Sequence, residues 1–157
     1  HIPNGQYYMF EQGLFPDLLE KGLPVYCYKS PAYWMDIGTP KNYLQLHYDL
    51  LLGNSVFQPA GDLLGLGIWA GEGCLIGQDV ELRPPLVLGD GCSVATGARV
   101  LGPAVLGANC TIGERAVLDK VVLWDGVHVE ADTSLSRCVL AKDVWIGFGS
   151  NICRVHF

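Results

Sequence analysis

The sequence predicts a mainly β chain, a parallel β-helix built from six-residue repeats and preceded by a smaller α/β segment. Aliphatic residues recur every six positions from about residue 70, and a second series of small or apolar residues precedes each of them by two positions. Before residue 54 the texture changes, with aromatics and mixed apolar periodicities in place of the repeat. The expected division is therefore residues 1–53 and residues 54–157, with regular coils from about residue 70.

The first series runs from Ala70, Ile76, Leu82 and Leu88 through Leu106 and Ile112 to Leu118 in steps of six. Steps of five lead into Leu123 and Leu140, and around them the series continues as Val129, Leu135, Ile146 and Ile152. A period of six with two inward positions fits neither the 3.6 of an α-helix nor the simple alternation of a long strand. It suits short strands joined by tight turns, three to a coil, with each strand hydrogen-bonding its neighbour in the next coil about 4.8 Å away. Each fully buried aliphatic then contributes roughly 1.5–3 kcal/mol gross, most of it offset by lost conformational entropy. Stability is shared between neighbouring coils.

This pattern resembles the left-handed β-helix of hexapeptide-repeat proteins over about 88 residues, from residue 70 to the end. The left hand is implied by that resemblance. The scaffold carries acyltransferases, nucleotidyltransferases and other proteins, so it does not by itself define a function.

Wrapping the repeat into coils brings outward residues into columns. Trp69, Val87, Val105, Val122 and Val139 make one apolar column, flanked by Gly71, Gly89, Gly107, Trp124 and Ala141. Valine suits any strand. An apolar column facing outward also suits a contact surface, either between subunits or for a docked catalytic domain. A second face carries Leu75, Ser93, Thr111, His128 and Trp145. The third carries Glu81, Arg83, Arg99, Leu101, Val117 and Asp119, and reads as a solvated face with cross-rung ion pairs of little individual weight.

In the first segment, Phe10 to Lys21 reads as a helix closed by Gly22 and Pro24, with Leu14, Leu18 and Leu19 inward. Val25 to Lys29 and Tyr33 to Ile37 read as strands. A second helix is expected from Lys41 to Leu52, with Thr39 as cap, Pro40 in the first turn and Gly53 just beyond the end. Its inward stripe is Tyr43, Leu44, Leu46, His47, Leu50 and Leu51. Two strands and two helices cannot close a core, so this segment needs partners or further sequence. A start at His1 without Met reads as a piece of a longer chain.

From Tyr7 to Gly53 the wording FEQGLFPDLLEKGLPVYCY followed by YWMDIGTPKNYLQLHYDLLLG resembles the end of the catalytic domain of sugar-1-phosphate nucleotidyltransferases. Within that family WMDIGTP and the helix after it are most similar to mannose-1-phosphate guanylyltransferases. Thymidylyl- and uridylyltransferases of glucose 1-phosphate follow. The resemblance implies an enzyme that joins a nucleoside triphosphate and a sugar 1-phosphate with loss of pyrophosphate. It also implies Mg²⁺, because charge builds on phosphate oxygens that a hard cation neutralises. Asp36 maps onto one of the two metal-holding carboxylates, and Gly38 allows close backbone approach to a phosphorylated ligand. On its own residues, Asp36 is equally an aspartate before a turn and a helix. Glu11 and Trp34 are candidates for the sugar pocket, or else a helix-end charge and a core aromatic. The Gly-rich nucleotide loop, the second carboxylate and the segment that grips the sugar phosphate are missing, so no nucleotidyl transfer is expected from this chain alone.

With 10 Lys and Arg against 16 Asp and Glu, a formal charge of −6 leaves no basic footprint for nucleic acid. No apolar run approaches the roughly 20 residues of a membrane span, and no signal pattern opens the chain, so a soluble cytoplasmic protein and a homo-oligomer assembled through the β-helix are expected. Cys74, Cys92 and Cys110 keep the repeat spacing and read as small buried side chains rather than zinc ligands or a disulfide framework. A hexapeptide acyltransferase would need a histidine base, for which only His128 is placed. A zinc hydratase would need three converging histidines, whereas only His128 and His156 lie in the repeats. A non-catalytic regulatory relative of the nucleotidyltransferases is the third alternative.

Overall fold

The computed structural model describes residues 1–55, 59 and 61–154. By internal contacts the chain forms two compact units, His1–Ala32 and the remainder from Tyr33 onward. The division expected at residue 53 concerned kinship of sequence, and the contact boundary lies upstream of it, so the second helix belongs with the coils.

In the first unit the expected helix forms in two parts, a π-helical turn Phe10–Leu14 and the α-helix Phe15–Glu20, here α1. Pro16 sits in the first turn of α1, where its missing N–H costs nothing. Lys21 Nζ closes on Asp17 at 2.6 Å one turn back, and Leu23 N–H returns to the carbonyl of Leu18 at 2.9 Å. Leu14 and Leu18 are half-buried, but Leu19 is exposed, contrary to the inward position expected of it. The strand expected at Val25–Lys29 is absent, and so is the one at Tyr33–Ile37. Every residue from Lys21 to Trp34 is exposed, and among the described residues no strand pairs with this segment to complete a ladder. A β-suited sequence without such a partner leaves its backbone groups to water.

In the second unit, α2 spans Pro40–Leu51. Thr39 is its cap, its Oγ1 accepting from Asn42 N–H at 3.2 Å, and Pro40 stands in the first turn. Gly53 follows at φ +77, and Asn54 N–H returns to the Asp49 carbonyl at 2.8 Å. Leu44 and Leu51 are buried, and Tyr43, Leu46, His47 and Leu50 are half-buried along the expected stripe.

From Ile68 the chain winds as a parallel β-helix of about five turns whose strands form three sheets, one per face. The first sheet has six strands, because the hairpin strand Asp62–Gly65 adds an antiparallel edge to Ile68–Ala70. The other two have five each and are parallel throughout. Register follows the repeat: Val87 pairs with Val105, Val105 with Val122 and Val122 with Val139. On the second face Ser93, Thr111, His128 and Trp145 align, and on the third Glu81, Arg99, Val117 and Ser134. This architecture agrees with the left-handed β-helix that the repeat resembles.

Both inward series are buried through the middle coils, among them Leu88, Val94, Leu106, Ile112, Leu118, Leu123 and Leu140. The ends differ. Ile76, expected inward, is 44% exposed, since its strand is the terminal one of the second sheet and no coil covers it. In the cysteine column Cys92 and Cys110 are buried in the core and Cys74 is half-buried at its margin; Cys92 Sγ donates to the Gly107 carbonyl at 3.0 Å and Cys110 Sγ to that of Trp124 at 3.2 Å. All six cysteines are free thiols. Thr133, the polar residue of the core, donates to the Gly147 carbonyl at 3.2 Å and is therefore satisfied.

Candidate functional site

The outward apolar column of the first sheet is where α2 lies. Leu44 packs on Val122 and Val139, with Tyr43, Tyr48 and Val105 at the margin of the cluster. Val122 is only 1% exposed, although its side chain points away from the β-helix axis. Of the two occupants considered for this column, a helix of the same chain therefore takes the part made by Val122 and Val139, and neither is open to a partner subunit. Trp69 and Val87, further along, are half-buried and lie outside that cluster.

A hydrogen bond fixes the helix axially. Tyr48 Oη donates to the carbonyl of Lys120 at 2.6 Å, and burial first, then the nearby Asp119 carboxylate, pushes this phenol up to about 12. It stays a donor at any physiological pH. At the other edge Tyr43 meets Trp124 edge-on, ring centroids 6.3 Å apart, and its other neighbour is His47 at 4.5 Å. Trp124, assigned to the contact column, thus serves as an abutment for α2 while remaining partly exposed.

The Asp36 loop leads directly into this helix. Asp36 Oδ1 accepts from Gly38 N–H at 3.0 Å, and Asn42 Nδ2 in the first turn of α2 donates to the Asp36 carbonyl at 2.8 Å. Tyr33 Oη donates to Asp49 Oδ2 at 2.8 Å, tying the residues ahead of the loop to the last turns of the helix. Hydrogen bonds from Gln45 and Tyr33 hold the Asp49 carboxyl below the usual carboxylate range. A groove of about 330 Å³ opens between Gly38, Thr39, Pro40, Trp124 and Val139. A second, of about 260 Å³, lies on the other side of Tyr43, between His47, Val105, Asp125 and Lys142.

Asp36, Gly38 and Trp34 thus fall on one loop. Trp34 is 82% exposed in this chain. Glu11 lies exposed in the π-helical turn of the first unit. Among the described residues no group of three or more His, Cys, Asp or Glu converges as a metal site. One exposed carboxylate that already accepts a backbone N–H does not make a Mg²⁺ site, which needs an octahedral oxygen set; Asp36 offers at most one of its ligands.

His128 stacks on Trp145 with ring centroids 3.7 Å apart, and the Trp145 Nε1–H donates to Glu130 at 3.2 Å. His156 lies outside the described residues. On the third face Glu81 bridges Arg83 and Arg99, the latter at 2.6 Å, as expected of a solvated ion-pair ladder. No helix among the described residues is long and apolar enough to cross a membrane. The sequence reading missed one cluster, Lys41, Arg137 and Arg154, which line a common cavity. Arg137 and Arg154 stand one coil apart in the sequence, but the corners were not read as columns.

The chain is 33% identical over 137 residues to the mannose-1-phosphate guanylyltransferase of Mycobacterium tuberculosis, a match that covers 87% of this chain and 33% of that protein. The chain therefore spans about a third of the relative's length. Residues 72–154 match the family described as GlmU-like, C-terminal hexapeptide, and with its coils in the register that such a repeat requires, the chain belongs to that family.

Proposed function

We propose that this chain is the C-terminal part of a sugar nucleotidyltransferase, an enzyme that converts a nucleoside triphosphate and a sugar 1-phosphate into a nucleotide sugar and pyrophosphate, with GTP and mannose 1-phosphate as the substrate pair. The observation that carries this reading is the extent of the similarity. At 87% of the chain it reaches upstream of the coils and takes in the Asp36 loop as well as the repeat.

In this reading the coils act as a mount. They hold α2 through Leu44 and Tyr48, and α2 holds the Asp36 loop through Asn42. Asp36 presents one carboxylate towards Mg²⁺, with the remaining donors supplied by the rest of the enzyme and by the substrate phosphates. Bound there, the cation neutralises charge on those phosphates. Gly38 leaves room beside the loop for a phosphorylated ligand, while Trp34 belongs to the sugar pocket. The chain by itself performs no transfer.

The part of the apolar column not taken by α2, Trp69 with Val87, joins subunits of a homo-oligomer. Six free thiols in a chain without a membrane-crossing helix among its described residues support the cytoplasm as its compartment.

The test is pyrophosphate release from GTP and mannose 1-phosphate. The full-length enzyme releases it, Asp36→Asn in that enzyme cuts the rate by about a hundredfold or more, and the 157-residue chain releases none. Full-length activity indifferent to Asp36→Asn refutes the metal role, and turnover by the short chain refutes the division of labour. Val87→Lys should lower the mass found by analytical ultracentrifugation; an unchanged mass refutes the subunit contact.

A further inference from the structure

The chain carries five arginines and five lysines in a molecule of net charge −6, and most of its arginines are neutralised locally. Arg83 and Arg99 share Glu81, and Arg115 is clamped by Asp132 at 2.7 Å and by Glu114 at 3.0 Å. Arg137 and Arg154 are the exceptions. Neither side chain meets a carboxylate among the described residues, and both line one cavity of about 380 Å³ together with Lys41 and Leu44.

The fold places them there. Arg137 and Arg154 occupy the same corner on successive coils, each in the left-handed region, at φ 53 and φ 58. Each backbone N–H donates one coil back, Arg137 to the Asp119 carbonyl and Arg154 to that of Ser136, both at 2.9 Å. Lys120 fills the same corner one coil earlier, with its N–H on the Leu101 carbonyl. Lys41 approaches from the first turn of α2, and the buried Leu44 provides the apolar wall. Asp119, which shares Tyr48 as a neighbour with Arg137, accepts from Ser136 Oγ at 3.1 Å and forms no ion pair with the arginine.

Holding two guanidinium groups and an ammonium around one cavity, with no carboxylate paired to any of them among the described residues, is electrostatically unfavourable for the free protein and favourable once an anion enters. Two arginines one rung apart, about 4.8 Å along the stack, offer donor forks to neighbouring phosphoryl groups, and guanidinium matches phosphate oxygens in a bidentate manner. We infer that the cavity bounded by Lys41, Arg137 and Arg154 binds a small anion bearing at least two phosphoryl groups, such as pyrophosphate or the diphosphate of a nucleotide. The inference rests on charge placement within the second unit and is independent of the transferase reading.

The experiment is isothermal titration calorimetry on the 157-residue chain, with pyrophosphate, GDP and inorganic phosphate as separate titrants at low and at moderate salt. Saturable binding of pyrophosphate or GDP, at least about tenfold tighter than inorganic phosphate and weakened by salt, is expected. Pyrophosphate alone among the two points to the free anion as ligand, and GDP the tighter of the two points to a nucleotide; either supports the site. R137N/R154N, chosen because Asn tolerates the left-handed backbone, should weaken binding by about tenfold or more, whereas K142E, outside the cavity, should not. Melting curves of the variants confirm that they are folded. Absence of saturable binding, equal affinity for mono- and diphosphate, or binding unchanged in folded R137N/R154N overturns the inference.

Discussion

Leu106 offers a direct measure of how the coils share stability. It is 1% exposed and stands in the first sheet between Leu88 and Leu123. Replacing it by alanine removes about three carbons' worth of transfer free energy, roughly 2.4 kcal/mol, and leaves a cavity. The cavity relaxes little, because the strands on both sides are pinned. Gly89 N–H bonds the Leu106 carbonyl at 2.7 Å, and Gly107 N–H bonds that of Leu123 at 2.8 Å. A cost of about 3–5 kcal/mol is therefore expected, in the upper half of the range for leucine to alanine. For a chain of this size that lowers the melting midpoint by about 10 °C. Circular dichroism melts and urea titrations read it, with the outward, exposed Leu75→Ala as reference. Leu106→Asp should go further and unfold several coils, because a carboxylate there has no partner and each coil depends on its neighbours. If Leu106→Ala melts together with Leu75→Ala, the inward assignment is wrong.

Gly107→Ala should destabilise by about 1–3 kcal/mol, since its Cβ would lie 2.5 Å from Asp125 Oδ1 and 2.7 Å from Asp125 N. Gly147→Ala, where a Cβ meets nothing within 4 Å, should leave the melt unchanged, and equal effects at the two sites count against the close coil approach. Hydrogen bonds from Arg99 and then Arg83 hold the Glu81 carboxyl below its usual range. Its folded pKa lies below the unfolded one, so its stabilisation is present at neutral pH and is lost as pH falls through the folded value. Glu81→Gln should flatten that acid limb of the stability profile, and an unaltered limb speaks against the ladder. Cys92, Cys110 and Cys138 are buried, whereas Cys27 and Cys153 are exposed. Cys27 and Cys153 should thus react with a thiol reagent in the folded protein, and Cys92, Cys110 and Cys138 only after denaturation; rapid native modification of the last three contradicts the packing.

The β-helix was legible because its repeat encodes packing directly. Both inward series and the columns through Val105, Thr111 and Arg99 emerge in the expected register, apart from end positions such as Ile76. Helix α2 was legible through its cap and stripe. What covers its stripe was not, because the contact of Leu44 with Val122 and Val139 joins residues far apart in sequence, and only the fold brings them together. The segments Val25–Lys29 and Tyr33–Ile37 have strand-like sequences, yet strand formation is settled by a neighbouring ladder and not by propensity. Of the site residues, Asp36 and Gly38 are contiguous in sequence and therefore easy to find. The cluster of Lys41, Arg137 and Arg154 escaped because it combines a helix's first turn with two corners of the coil.

The strict stacking of coils also determines which changes of length the chain tolerates. Residues facing each other across a rung are separated by seventeen or eighteen positions, as Arg115 and Asp132 or Glu81 and Arg99 illustrate. Adding or removing a whole turn leaves every later side chain on its original face, so such a protein can grow or shrink by duplication like a spring cut to length. Inserting a single residue within a strand instead rotates all that follows out of phase. Gains and losses of one position are confined to corners such as those near Lys120 and Arg137, where the shorter steps already occur.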